Sequence, residues 1–292
     1  MSRVLSWWRH KAEWWVTLPS LLWLGLFFLV PSLLMVGVAF KPADPYGGIG
    51  DGWTLNTVRE LNNAAYPLIL WRTLWLSLAA TTVTLLFALP MAYWMARLPV
   101  RWRNLVLLLV ILPFWTNFLI RVFAWKSLLH PEGPFKKALA AVGLVSPDAL
   151  LLYNVWAVLV VLIYTSLPFA ILPLYAAAEK FDFSLLDAAR DLGAGAWRSF
   201  MVVFIPGVGK GLLTAILMVL IPAMGAYAIP DIVGGVSGEM IGNKIAQRVF
   251  SDRNLPHAAA LALLLAVLVL VPLAAMLWFQ RGQSSRTKEV RP

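Results

Sequence analysis

Few residues in this chain could carry chemistry, and their spacing works against most of the chemistries they suggest. The histidines are His10, His130 and His257, too far apart in sequence to suggest a paired ligand set. A metal or haem site from this chain alone is therefore not expected. The run Gly207 to Leu212, GVGKGL, has the lysine of a phosphate loop but no hydroxyl residue after it. The glycines Gly47, Gly48, Gly50 and Gly52 lack both a following Lys-Ser or Lys-Thr and a preceding strand. GVSG at 235–238 has the G-x-S-G form of a buried serine nucleophile, but it falls in a Gly-rich loop with no histidine nearby in sequence, which suits a turn better. No pair of carboxylates is spaced for acid–base work, so no catalytic site and no bound cofactor is expected on this chain.

One stretch stands out instead. Phe181 to Pro206 reads FDFSLLDAARDLGAGAWRSFMVVFIP and gathers Asp182, Asp187, Arg190, Asp191 and Arg198 where charge is otherwise scarce. Ser184 followed by Asp187 has the form of a capping box, with Asp in the distal place. The acids sit on the early turns, where they favour a helix N-terminus, and Gly193 ends or loosens the helix. The expectation is a short helix, a break, and a second segment that leads to Pro206. Small residues recur there, and they would let the groove of another protein close over the helix. An ordinary solvated connection is the plainer alternative.

The elements that position this stretch follow from composition. Of 292 residues, 61% are hydrophobic and 13% charged, against about 45–50% and about 25% in soluble domains. The excess falls into runs of roughly 20 residues or more, the length that crosses a bilayer as a helix. The chain reads as an all-α integral membrane protein. Residues 1–13 form a basic amino terminus. Residues 14–40 form the first span, too long for a signal peptide. A Gly- and Pro-rich outer loop follows over 41–67. Further spans are expected over 68–96, 105–129, 152–178, 203–229 and 256–279, within a core of 68–280, and a polar tail occupies 281–292. That makes six spans, with both termini and the polar stretch on the cytoplasmic side.

Arg97, Arg101 and Arg103, in a short connection, agree with that orientation. Outer lysines and arginines are offset by Asp148, Asp231, Glu239 and Asp252. The net charge of +10 is read as loop arginines and anionic lipid rather than nucleic acid. There are no cysteines, so disulfide and thiolate chemistry is absent. Pro31, Pro90, Pro113, Pro168, Pro173, Pro222 and Pro272 lie inside the expected spans, where they bend helices for packing or for a moving gate.

The polar stretch resembles the EAA loop of permease subunits of ABC importers. That pattern is E-A-A, then Gly after three residues, then I-x-L-P after nine more. Asp187, Ala188 and Ala189 are followed by Gly193 at that spacing, and Val203, Ile205 and Pro206 fall where Ile, Leu and Pro are expected. The departures are Asp for Glu, and Val and Ile for Ile and Leu. The resemblance implies a type I ABC importer permease fold with a coupling helix over about 183–197. Asp187, Ala188, Ala189, Arg190 and Gly193 would meet an ABC ATPase dimer. ATP and magnesium would sit on that partner, which fits the lack of a nucleotide loop here. It further implies a second permease, a copy or a paralogue, a periplasmic substrate-binding protein, and a bacterial inner-membrane location.

A narrower resemblance covers LPFWTNFLIRVFAW (112–125), IPAMGAYAIPDIVGG (221–235), MIGNKIAQRVF (240–250) and SDRNLPHAAAL (251–261). It is to the polyamine importer permeases, and it implies transport of putrescine or spermidine. Some relatives carry Glu where Ala226 stands. Importers of opines, ferric iron and amino-acid-like solutes share much of the pattern, and a stand-alone secondary transporter is the remaining alternative. For a cationic solute the candidate pathway residues are Trp115, Asn117, Tyr227 and Asp231. Each also has a plainer role at the lipid interface, in packing or as a cap. Arg121 argues against a cation path on its face unless it pairs with an acid.

Overall fold

A computed structural model describes residues 17–63, 65–146 and 148–289. The segment 1–13, with His10, Trp7 and Trp8, lies outside them, as do Trp14 and Trp15 at the start of the first expected span.

The described chain is helical. In order, α1 is Thr17–Ala39, α2 Asn56–Arg59, α3 Ala65–Arg97, α4 Val100–Ile111, α5 Phe118–Leu129 and α6 Pro134–Ala141. Then come α7 Val155–Ala178, α8 Ser184–Asp191, α9 Ala196–Ser199, α10 Gly209–Met224, α11 Ile241–Phe250 and α12 Leu255–Glu289. Among the described residues α1, α3 and α7 are each long and apolar enough to cross a membrane. Two more candidates are bent pairs, Val100–Trp115 with Phe118–Ala141 at 91° and Ala196–Gly207 with Gly209–Met224 at 76°. The sixth apolar stretch, Leu255–Val271, is shorter. Length and composition thus give three to five crossing elements among the described residues, with Leu255–Val271 as a further, shorter apolar stretch, so they do not by themselves establish six.

The two breaks have local causes. After α4 a 3-10 turn, Leu112–Trp115, carries Pro113, which lacks a backbone donor. The Asn117 side chain then caps α5 by accepting from the Leu119 amide at 2.8 Å. Before α10, a π-helical turn at Phe200–Phe204 is followed by Pro206, and the helix restarts after Val208. At the other end of the chain, α12 continues to Glu289, through most of the polar tail expected over 281–292. Between Pro272 and Pro292 there is no proline to stop it.

The chain divides into two compact units, 64–243 and the combination of 1–63 with 244–292. The last helix therefore groups with the first, rather than with the core drawn over 68–280. In that smaller unit Ala39 is buried with Ala259 and Ala260, against Met35, Val38 and Leu61. Its Gly-rich loop makes turns, with Gly47, Gly48 and Gly52 at positive φ, and Asp44 accepts from the Tyr46 amide.

The larger unit is built on α3, α7 and α10. Leu76, Ala80, Val158, Val161, Leu162 and Ala223 share one buried cluster. Ala88, Ala92, Met95, Ala170, Ile171, Leu174, Ala215 and Val219 share another. Small side chains let such helices approach closely. A Cβ on Gly211 would collide with Ala177 of α7. Thr81 of α3 and Thr165 of α7 turn their buried hydroxyls back to their own helices, to the Ser77 and Val161 carbonyls. Arg103 of α4 reaches Glu179, just past α7, at 3.0 Å.

Candidate functional site

Two places in the larger unit have the geometry of a site. The first is the polar stretch. Its helix α8 starts at Ser184 with Phe183 at the cap position and no side-chain cap. The capping box expected from Ser184 and Asp187 is therefore not made. Instead Asp182 Oδ1 accepts from the Ser184 amide at 3.0 Å, because Asp182 precedes the turn and can reach forward to the amide two residues on. The Ser184 hydroxyl and then its amide hold the Asp182 carboxyl below its ordinary value of 3.8.

Leu192 is the C-cap, and Gly193 follows at φ 86°. The Gly193 amide bonds to the Arg190 carbonyl and the Ala194 amide to that of Ala189. That pairing is a Schellman motif, and its left-handed position favours glycine.

One side of α8 faces inward. Leu186 is buried with Ala178, Phe204 and Val208, and Tyr93, Phe181, Phe183 and Phe200 pack around them. The Tyr93 ring meets Phe204 at 5.0 Å, Phe200 at 5.4 Å and Phe183 at 6.0 Å between centroids. Arg97, at the end of α3, lies over Tyr93 and Phe183 at 5.0 and 5.2 Å. Its Nη1 donates to the Tyr93 hydroxyl at 2.8 Å. A Cβ on Gly207 would run into the Phe181 ring.

The other side of α8 is open. Asp187 and Arg190 form an exposed pair at 3.4 Å, Ala188 is exposed and Ala189 half-buried. Leu185 and Trp197 are exposed, and Leu192 is 90% exposed. A shallow hollow of about 270 Å³ is lined by Ala189, Leu192, Gly193, Ala194, Arg198, Ser199, Val202 and Val203. The segment is thus bolted to α3 on one side and offers apolar and small residues on the other.

The second place is a cavity of about 360 Å³ where the α4–α5 break meets α7 and the end of α10. Phe114, Phe118 and Phe169 line it together with Thr165, Ser166, Arg121 and Tyr227. Of the four residues expected along a pathway, Tyr227 lines this cavity, and Trp115, Asn117 and Asp231 are not among its lining residues. Trp115 is 75% exposed. Asn117 is spent on capping α5. Asp231 sits in the first turn of the π-helical segment Pro230–Gly234, with its amide on the Tyr227 carbonyl. Ser237 lies in the turn that follows this segment, outside any helix.

The supports around the Tyr227 carbonyl and the segment after it were not expected from the sequence. Asn243 Nδ2 donates to the Tyr227 carbonyl at 3.0 Å. The Ile241 amide donates to Thr73 Oγ1 at 2.9 Å, and Arg72 donates to the Val236 carbonyl at 3.0 Å. Each joins residues far apart in sequence. The one local signal that could have pointed to them is the pair Arg72 and Thr73 near the start of an apolar run.

Comparison with known proteins gives a consistent result. The family described as binding-protein-dependent transport system inner membrane component matches residues 88–289. The spermidine/putrescine transport system permease protein PotB of Haemophilus influenzae is 38% identical over 247 residues, 85% of this chain and 86% of that protein. Its namesake in Escherichia coli K12 is 35% identical over 85% and 90% of the two chains. A chain from the crystal structure of a bacterial ABC transporter that imports the acidic polysaccharide alginate superposes with a TM-score of 0.67 at 18% identity, covering 96% and 99% of the two chains. A second structure of a bacterial alginate ABC transporter, in complex with its pentasaccharide-bound periplasmic protein, has a TM-score of 0.62 at 19% identity, covering 90% and 93%. These two structures establish a shared fold. With the family pattern spanning well over half of its length, this chain belongs to the binding-protein-dependent transport system inner membrane components.

Proposed function

We propose that this protein is one of two permease subunits of an ATP-driven importer of polyamines such as putrescine or spermidine. The observation that carries the substrate class is the identity of 35–38% over 85% of the chain with proteins named as spermidine/putrescine permeases. The subunit itself is non-catalytic. A dimeric ABC ATPase, holding ATP and magnesium, docks on the open side of α8 through Asp187, Ala188, Ala189, Arg190 and Gly193. The second permease, a paralogue, supplies the other half of the pathway, and a periplasmic binding protein delivers the solute. The chain crosses the inner membrane six times, with both termini in the cytoplasm.

Alternating access needs α8 to move with the ATPase as a rigid body. The packing of Leu186, Phe183 and Phe204 around Tyr93 supports this, because α8 cannot shift without pulling on α3. For the solute, the aromatic lining of the cavity suits ammonium groups, with cation–π contacts of about 0.5–2 kcal/mol each. Tyr227 lines the cavity, Asp231 lies four residues beyond it toward the outer loop, and Trp115 and Asn117 flank the break in the third span. The test is uptake of labelled putrescine and spermidine by cells carrying the whole transporter, with and without this chain. Uptake that depends on the chain is expected. A transporter that instead moves an opine or ferric iron and ignores both polyamines would overturn the substrate class.

A further inference from the structure

The cavity contains a charge of the same sign as the proposed solute. Arg121 lines it, and no acidic residue is among the described residues that do. The Arg121 guanidinium carbon lies 5.1 Å from the Phe114 ring centroid and 6.0 Å from that of Phe118. Its Nε has no hydrogen-bond partner among the described residues. Phe169 packs edge-on against Phe114 at 4.9 Å, so it borders the same ring.

A half-buried guanidinium within an apolar helix is costly to keep, and ionisable side chains at such positions mark pathways. Two cation–π contacts help to hold it, and they use ring faces that an arriving ammonium would otherwise take. We infer that Arg121 is a resident cation that limits how tightly the cavity holds a cationic solute. It competes for the faces of Phe114 and Phe118 and repels a second positive charge across the cavity. Conduction requires a site strong enough to fill and weak enough to empty. Arg121 supplies the weakening, so a polyamine passes through instead of lodging. This specificity role rests on the proposed polyamine reading for the identity of the solute, but not for the charge effect itself.

The test uses the assembled transporter in proteoliposomes with Arg121→Gln and Arg121→Lys. Removing one like charge several ångströms from the solute should lower KM for putrescine by roughly five- to tenfold. The Gln variant should also show a lower kcat, because release slows, while the Lys variant keeps KM near the wild-type value. A companion measurement needs no polyamine specificity. Ligand-observed NMR with methylguanidinium on the purified complex should show tighter binding to the Gln variant than to wild type or the Lys variant. If wild type takes up no polyamine yet the probe binds the Gln variant more tightly, the polyamine reading falls and the role of Arg121 stands. If KM and probe binding are unchanged or weaker in an assembled Gln variant, the role of Arg121 is wrong. A variant that fails to co-purify with its partners is replaced by Phe114→Leu, which removes the favoured ring. Weaker probe binding to that variant supports the shared ring face, and unchanged binding contradicts it.

Discussion

The Phe204 ring, in the π-helical turn after α9, meets Tyr93 of α3 at 5.0 Å between centroids and 79° between ring planes. Phe204 is fully buried, so this contact is part of a packed core. It joins the segment proposed to meet the ATPase to a helix that helps build the membrane core. Replacing Phe204 with Ala removes the centre of that cluster, at a cost of about 3–5 kcal/mol. The expected outcome in the assembled transporter is continued ATP hydrolysis with uptake reduced at least about tenfold. Phe204→Leu, which keeps most of the volume, should be milder. Equal loss of hydrolysis and uptake in both variants would argue for simple unfolding.

Gly193 stands at φ 86°, and nothing lies within 4 Å of where its Cβ would be. The constraint there is backbone conformation, not space within the chain; docking of the proposed ATPase would add a second. Gly193→Asp is expected to abolish transport while the protein still inserts in the membrane. Gly193→Asn, which tolerates the left-handed region and adds no charge, should retain a measurable fraction. Uptake by the Asp variant at the wild-type rate would refute docking at this position.

The carboxyl of Asp182 is held low by the Ser184 hydroxyl and amide. Because the folded value is depressed, its contribution is present above the ordinary value of 3.8 and is lost as pH falls through the lower folded value. Hydrogen exchange at the Ser184 amide should therefore be steady from neutral pH down to the carboxylate range, after normalisation for intrinsic exchange, and lose protection below it. Asp182→Asn should remove that acid transition. A transition that persists in the Asn variant would assign it to another group.

Asp231 lies outside the cavity and Tyr227 inside its lining, so their substitutions should differ. Tyr227→Ala is expected to raise KM for polyamine uptake several-fold, and Tyr227→Phe much less, since the ring face remains. Asp231→Asn should raise KM if the acid attracts the solute on its way in. Unchanged uptake by that variant would remove Asp231 from the pathway.

Much of the fold was legible because apolar runs of membrane length are long-range signals that need no partner to be read. The spacing from Asp187 through Gly193 to Pro206 was legible for a similar reason: it is local. The break in the third expected span was less so. Pro113 announced a bend, but the cap by Asn117 turned a kink into a 91° change of direction. Ser184 misled because Asp182, two residues earlier, could make the competing turn. The contacts that fix the site join residues far apart in sequence. Tyr93 with Phe204, Asn243 with Tyr227 and Thr73 with Ile241 depend on helices meeting, and no periodicity within one helix encodes its neighbour. Arg121 was visible as an intramembrane charge with Phe118 one turn before it, whereas its second ring became evident only once the break brought Phe114 beside it.

In the proposed function, energy reaches this chain through α8 from a separate ATPase. The direct measurement is ATP-driven uptake of labelled polyamine in proteoliposomes that contain this chain, its second permease and the ATPase, with binding protein outside. Uptake is expected only when all are present, and it is expected to be lost with Gly193→Asp although the chain is still inserted. Sustained uptake by proteoliposomes that contain this chain alone would contradict it.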